Sequence, residues 1–190
     1  MGEEIRRIVR RGFVEDDVRW FSPEAITILK NAQTDIQWLM DRGYKQSSVI
    51  ELVGGHYQLS ARQRNALQRA TSSTLECKIR KEKLLSLDKL PDNCIYIDGF
   101  NLIITLEVAL SNGTMILCND GTIRDIAGLR GTYGLIDKTE KALTLLGKFF
   151  KEKGVSEAKF FLDAPVSNSG RLKIKILEHA LSWGIMWQWN

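Results

Sequence analysis

Two apolar runs in this chain each stop at an aspartate. "CIYIDGFNLI", residues 94–103, breaks at Asp98, and "AKFFLDAPVSNSG", residues 158–170, breaks at Asp163. Carboxylates with no Cys or His beside them are hard oxygen donors, suited to Mg²⁺ or Mn²⁺. Two carboxylates held close repel unless a cation or a shared proton separates them. Asn101, three residues after Asp98, falls in the first turn of the element that follows and faces the same edge. Gly99 between them permits close approach of backbone or substrate. Ser167, Asn168, Ser169, Gly170 and Arg171 form a polar loop that opens a helix, a setting that suits a phosphate. The competing role for either aspartate is a turn or a helix cap, which is common for Asp after a strand.

The carboxylates meet only if their strands are parallel neighbours. Crossover helices return each strand in the same direction, so the carboxyl ends line one edge of the sheet, where ligands bind in open α/β folds. From residue 94 onward strand and helix patterns alternate. "CIYID", "TMILC", "AKFFLD" and "IMWQW" read as strands, and "FNLIITLEVAL" and "SGRLKIKILEHALSW" as helices. Another helix starts at Asp137, with Glu140 at capping-box spacing, carries Ala142, Leu143, Leu146, Phe149 and Phe150 on its apolar stripe and stops at Gly154. "NDGTIRDIAGLRGTYG" reads as a glycine-rich loop. This pattern predicts an α/β domain with a mainly parallel sheet and flanking helices.

The first half reads as helices. Ser22 caps one that begins at Pro23 and stops near Gly43. "SSVIELV" forms a short helix closed by Gly54-Gly55, and Ser60 caps a third that runs through Leu67 and Ala70 towards Arg80. The order is loosely that of a helix-turn-helix. "LSLDKLPDN", residues 85–93, reads as a linker. The predicted division is an all-α, basic domain over residues 1–88 and an α/β domain over residues 89–190.

The net charge of +4 lies wholly in residues 1–90, which carry 16 Lys and Arg against 12 Asp and Glu. Most of it sits in "SARQRNALQRATSSTLECKIRKEK", residues 60–83. A basic helix of this kind fits either a nucleic-acid surface, with Arg62, Arg64 and Arg69 as contacts, or a solvated face. Asp125 fits either a third metal ligand or an ion pair with an arginine. Arg124 and Arg130 fit phosphate contacts and Tyr133 a base stack, with salt bridges and partial burial as their other roles. Glu107, two turns into its helix, points back to the site or into solvent. No apolar run approaches the roughly 18–20 residues of a membrane span. The charged start "MGEEIRRIVRR" lacks a signal core, and three unpatterned cysteines suit a reducing compartment, so a cytoplasmic location is expected.

The stretches "RQRNAL", "YIDGFNLI", "RDIAGLRGTY" and "LDAPVSNSGRL" resemble an uncharacterised prokaryotic family, well represented in archaea. That family joins a helical N-terminal domain to a PIN-like domain. The strand ending in Asp98-Gly99-Phe100-Asn101 resembles the opening motif of NYN domains within the PIN-like nuclease superfamily. The resemblance implies acidic residues around one or two Mg²⁺ or Mn²⁺ ions, hydrolysis of RNA phosphodiesters and, since such domains often pair, a homodimer. Asp98 matches the first acidic position, Asn101 its companion and Asp163 a later one. PIN-like domains usually continue into another strand and an acidic loop, whereas this sequence stops at "WGIMWQWN", so the resemblance implies either a shortened domain or the absence of the last metal ligand.

The expectation is therefore a metal-dependent nuclease, with RNA favoured over DNA. Asp98, Asp163 and Asp125 are its candidate ligands, and Asn101 orients a ligand or water. Arg62, Arg64, Arg69, Arg124, Arg130, Tyr133, Ser169 and Arg171 grip the nucleic acid. The alternative is a non-catalytic nucleic-acid-binding or adaptor protein with a vestigial site.

Overall fold

The computed structural model describes residues 9–91, 93–129 and 131–184, with the backbone of residues 186–189. In chain order the elements are α1 (Asp17–Trp20), α2 (Pro23–Met40), α3 (Gln46–His56), α4 (Ala61–Ala70), α5 (Thr74–Glu82), β1 (Cys94–Asp98) and α6 (Gly99–Leu110). There follow β2 (Met115–Leu117), β3 (Ile123–Asp125), α7 (Asp137–Glu152), β4 (Glu157–Phe161), α8 (Ser169–Trp183) and β5 (Met186–Trp189). Among the described residues no helix is long and apolar enough to cross a membrane.

The chain forms two compact units, and the division is discontinuous. Gly12–Leu84 joins with Thr114–Ile126 in one, and the rest of the chain forms the other.

Three helices of the helical unit, α2, α4 and α5, start with a hydroxyl cap, whereas α3 follows Lys45 with no side-chain cap. Ser22 Oγ accepts from Ala25 N, while Ser60 with Gln63 and Ser73 with Glu76 each form a capping box. The single helix expected from Ser60 to Arg80 is thus two. Thr71 is extended, and Ser73 begins a new cap. The expected stop at Gly54-Gly55 is also corrected, since α3 continues to His56. Gly54 serves close packing instead: a Cβ there would stand 2.8 Å from Arg64 Nε. Leu29, Ala32, Ile36, Val49, Ile50, Val53, Leu59 and Leu67 form the core of the unit. The residues read as a glycine-rich loop contain β3, which pairs antiparallel with β2 in the register Met115↔Asp125 and Leu117↔Ile123. Three residues including Arg124 and Asp125 are too few and too polar to show a strand period. Asn119 stitches the hairpin to the helices: its N–H donates to Ala70 O at 2.9 Å, and its side chain bonds both Ser72 N and Ser72 O.

The α/β unit carries a three-stranded parallel sheet in the order β1-β4-β5. The parallel α/β character expected from the alternation is present, on few strands. Ile97, Ala158 and Phe160 turn one face inward against Phe100 and Ile103 of α6, Leu143, Leu146 and Phe150 of α7, and Leu172, Ile176 and Trp183 of α8. The capping box expected of Asp137 and Glu140 is replaced by Thr139, whose Oγ1 accepts from Ile136 N at 3.0 Å.

Candidate functional site

β1 and β4 are parallel neighbours, with Asp98 in register with Phe161. Asp98 is the last residue of β1, and Asp163 lies two residues past Phe161. Both are exposed. The start of α6 presses against the end of β4: a Cβ on Gly99 would stand 2.7 Å from Leu162 Cδ2 and 3.2 Å from Phe161 O. The two aspartates therefore share the carboxyl edge of one sheet.

Asp98 also caps α6. Its Oδ1 accepts from Asn101 N at 3.1 Å, and Oδ2 accepts from Asn101 Nδ2. Asn101 faces this edge as its spacing implied, and its partner is Asp98 itself. Each carboxylate oxygen offers two lone-pair sites, so the cap leaves acceptor capacity on Asp98.

The polar loop before α8 is bound largely to the loop around Tyr133. Ser167 Oγ accepts from Tyr133 N at 3.0 Å, Asn168 Nδ2 donates to Tyr133 O at 2.6 Å, and Ser167 N donates to Gly131 O at 3.1 Å. Ser169 Oγ donates to Ala164 O at 3.3 Å. Arg171 is exposed in the first turn of α8.

Tyr133 is not a free stacking ring. It is 3 % exposed, packs edge-on to Phe100 at 5.3 Å and lies under the Arg11 guanidinium at 4.7 Å. Its hydroxyl donates to Glu107 Oε1 at 2.9 Å, and Thr139 Oγ1 donates to the same oxygen. Glu107 is fully buried, so of the two roles read for it the solvent-facing one does not hold. Arg11 Nη1 lies 2.9 Å from Glu107 Oε2, close enough for an ion pair but off the line of a hydrogen bond. Burial pushes the Glu107 carboxyl up, against the opposing pull of Thr139, Arg11 and Tyr133. Burial and the Glu107 charge push the Tyr133 phenol up as well. The available signal for Glu107 was its place, four residues after Ile103, on the apolar stripe of α6.

The basic residues of the helical unit are mostly engaged within it. Arg62 grips Asp17 with Nε and Nη2 at 3.0 and 2.8 Å and donates to Gly12 O and Ile126 O. Arg64 donates to Leu59 O at 3.0 Å. Arg69 lies 3.6 Å from Asp125, which takes the ion-pair role of its two alternatives. Arg124 pairs with Asp120 at 3.6 Å. Arg130 lies outside the described residues, as do the side chains of Trp187 and Trp189. Among the described residues no group of three or more His, Cys, Asp or Glu side chains is placed to hold a metal ion. His179, isolated in the sequence, lies 2.5 Å from Glu140, which also binds Lys175 at 2.8 Å.

Residues 87–190 match a domain of unknown function, DUF5616, and residues 28–83 match a protein of unknown function, DUF434. The uncharacterized protein MJ0935 of Methanocaldococcus jannaschii is 36 % identical over 157 residues, covering 83 % of this chain and 75 % of that protein. No solved structure matches the chain significantly.

Proposed function

The chain belongs to the DUF5616 family; we propose that its α/β unit is a PIN-like, metal-dependent nuclease that hydrolyses phosphodiesters, with RNA favoured. The observation that supports this reading is the exposure of Asp98 and Asp163 at the carboxyl edge of two hydrogen-bonded parallel strands. One or two carboxylates with spare lone pairs suit Mg²⁺ or Mn²⁺, whose remaining positions go to water and substrate phosphate. Such an ion, when bound, supplies charge neutralisation on the phosphate and an activated water. Asp98 and Asp163 would hold it, and Asn101 fixes the orientation of Asp98 through two hydrogen bonds. Arg171, exposed at the start of α8, would contact the phosphate chain.

The test is cleavage of labelled single-stranded RNA with Mg²⁺ or Mn²⁺, and with chelator. Cleavage should require the ion and vanish in Asp98→Asn and Asp163→Asn. Asparagine caps a helix about as well as aspartate, so Asp98→Asn removes the charge while keeping α6 capped. Undiminished cleavage by Asp98→Asn would remove that residue from the mechanism.

A second reading, a nucleic-acid-binding or adaptor protein with a vestigial site, has its own support. Both Asp98 oxygens are engaged in a cap, and no third acidic side chain among the described residues completes a metal cluster. It predicts salt-sensitive RNA binding without turnover in either metal.

A further inference from the structure

We infer that the face of the β1–β4 pair opposite the core is a stacking platform for unpaired nucleobases, built on Tyr96 and Phe161. Side chains alternate across a strand, and here the alternation separates two functions. Ile97, Ala158 and Phe160 enter the core, whereas Tyr96, Asp98, Lys159 and Phe161 share the opposite face. Tyr96 is 70 % exposed and Phe161 39 %. Their ring centroids lie 5.9 Å apart with the planes inclined by 33°, so the two rings contact each other at a shallow tilt. Parallel sheets normally have both faces covered, so an exposed Tyr96 ring beside a partly exposed Phe161 ring calls for an occupant.

The chemistry around the rings selects that occupant. Lys159 stands in register with Tyr96, Asp98 with Phe161, and Glu157 shares their face. An apolar helix or a second copy of this chain needs an interface centre depleted of charge. A nucleobase does not: it stacks on an aromatic ring amid charged neighbours, while an adjacent ammonium meets the phosphate. Phe161 is the register partner of Asp98 and lies two residues before Asp163. A single strand laid along the rings therefore brings its backbone to the carboxylate edge. A duplex keeps its base faces stacked inside and cannot use the rings. This inference rests on the nucleic-acid reading of that edge and adds the class of strand it takes.

The experiment measures fluorescence anisotropy of the full chain in chelator, so that binding is read without cleavage. The probes are a labelled ten-nucleotide oligoadenylate RNA, its duplex with oligouridylate, and an abasic ribose-phosphate oligomer of equal length. Oligoadenylate should bind at least tenfold tighter than the other two. Tyr96→Ala and Phe161→Ala should each weaken it roughly tenfold and leave the abasic oligomer unchanged, while Tyr96→Phe, which keeps the ring, should bind as the native chain does. Equal affinity for oligoadenylate and abasic oligomer would overturn the platform, as would Tyr96→Ala binding unaltered. So would a sedimentation shift from dimer to monomer in Tyr96→Ala without any change in RNA binding, which would assign the face to a second copy. The two readings fail separately. Metal-dependent cleavage with ring-independent binding sinks the platform alone, and ring-dependent binding with no cleavage in either metal sinks the nuclease alone.

Discussion

Glu107 and Arg11 bring opposite charges into the same buried space, and removing one partner should cost more than removing both. A lone buried charge keeps its desolvation penalty, whereas an apolar pair of similar size does not. Arg11→Met, which leaves the buried carboxylate without its cation, should therefore lose about 3–5 kcal/mol in urea unfolding at neutral pH; adding Glu107→Leu should recover most of it, and Glu107→Gln, which mimics the protonated carboxyl, should cost less than Arg11→Met. The pH dependence has a definite sign. Burial raises the Glu107 carboxyl above its ordinary 4.5, so the folded unit holds this proton more tightly than the unfolded chain. The contribution of this group is greatest below 4.5 and declines as pH rises towards the raised value, a slope the Gln variant should lack. At this scale the sequence was legible where the chemistry is local. The turn after β1 placed Asp98 and Asn101 together because a cap needs only three residues. The burial of Tyr133 against Glu107 and the grip of Arg62 on Asp17 carried no local mark, because these partners lie 26 and 45 residues away.

Elements were legible where caps announce them. Ser22, Ser60 and Ser73 each start a helix, and the break between α4 and α5 was written in the Ser73-x-x-Glu76 spacing. Ser73→Ala should cost about 1 kcal/mol of stability by the loss of that cap, as read in urea unfolding. β3 carried no such mark, since its strand character comes from pairing with β2. The junction of β1 and α6 offers a sharper test. Phe161 O is a backbone atom of the neighbouring strand and cannot step aside from a new Cβ at Gly99. Gly99→Ala should thus destabilise by about 1–3 kcal/mol, the usual range for overpacking. Gly170→Ala meets no atom within 4 Å and lies in a helix, so it should be neutral or stabilising in the same measurement.

The division of the molecule leads to a prediction that a linear reading of the chain would not make. Composition and the linker at residues 85–93 suggested that everything before residue 89 stands alone. The helical unit nevertheless takes in the hairpin from Thr114 to Ile126, and that hairpin satisfies charges inside it. Asp17 accepts from Arg62 and, at 2.6 Å, from Thr114 Oγ1, and Arg62 donates onward to Ile126 O. Arg80 and Arg69 pair with Asp120 and Asp125. Burial alone would raise the Asp17 and Asp120 carboxyls, but hydrogen bonds from Arg62 and Thr114, and from Thr122 and Arg80, outweigh it and hold both below 3.8. Their contribution is complete above 3.8 and is lost as pH falls through the lowered values, so acid should weaken this unit where it relieves Glu107. A fragment of residues 1–88 keeps Asp17 and Arg62 but loses Thr114, Asn119, Asp120, Asp125 and the Ile126 carbonyl. It leaves Arg69 and Arg80 without their carboxylates and Ser72 without Asn119. The fragment should show helical circular dichroism with a broad, weakly cooperative melt. The same residues joined by a short glycine-serine linker to residues 114–126 should melt cooperatively. A sharp transition in the fragment alone, at the temperature of the joined form, would mean that the hairpin contributes nothing to the folding of the helices.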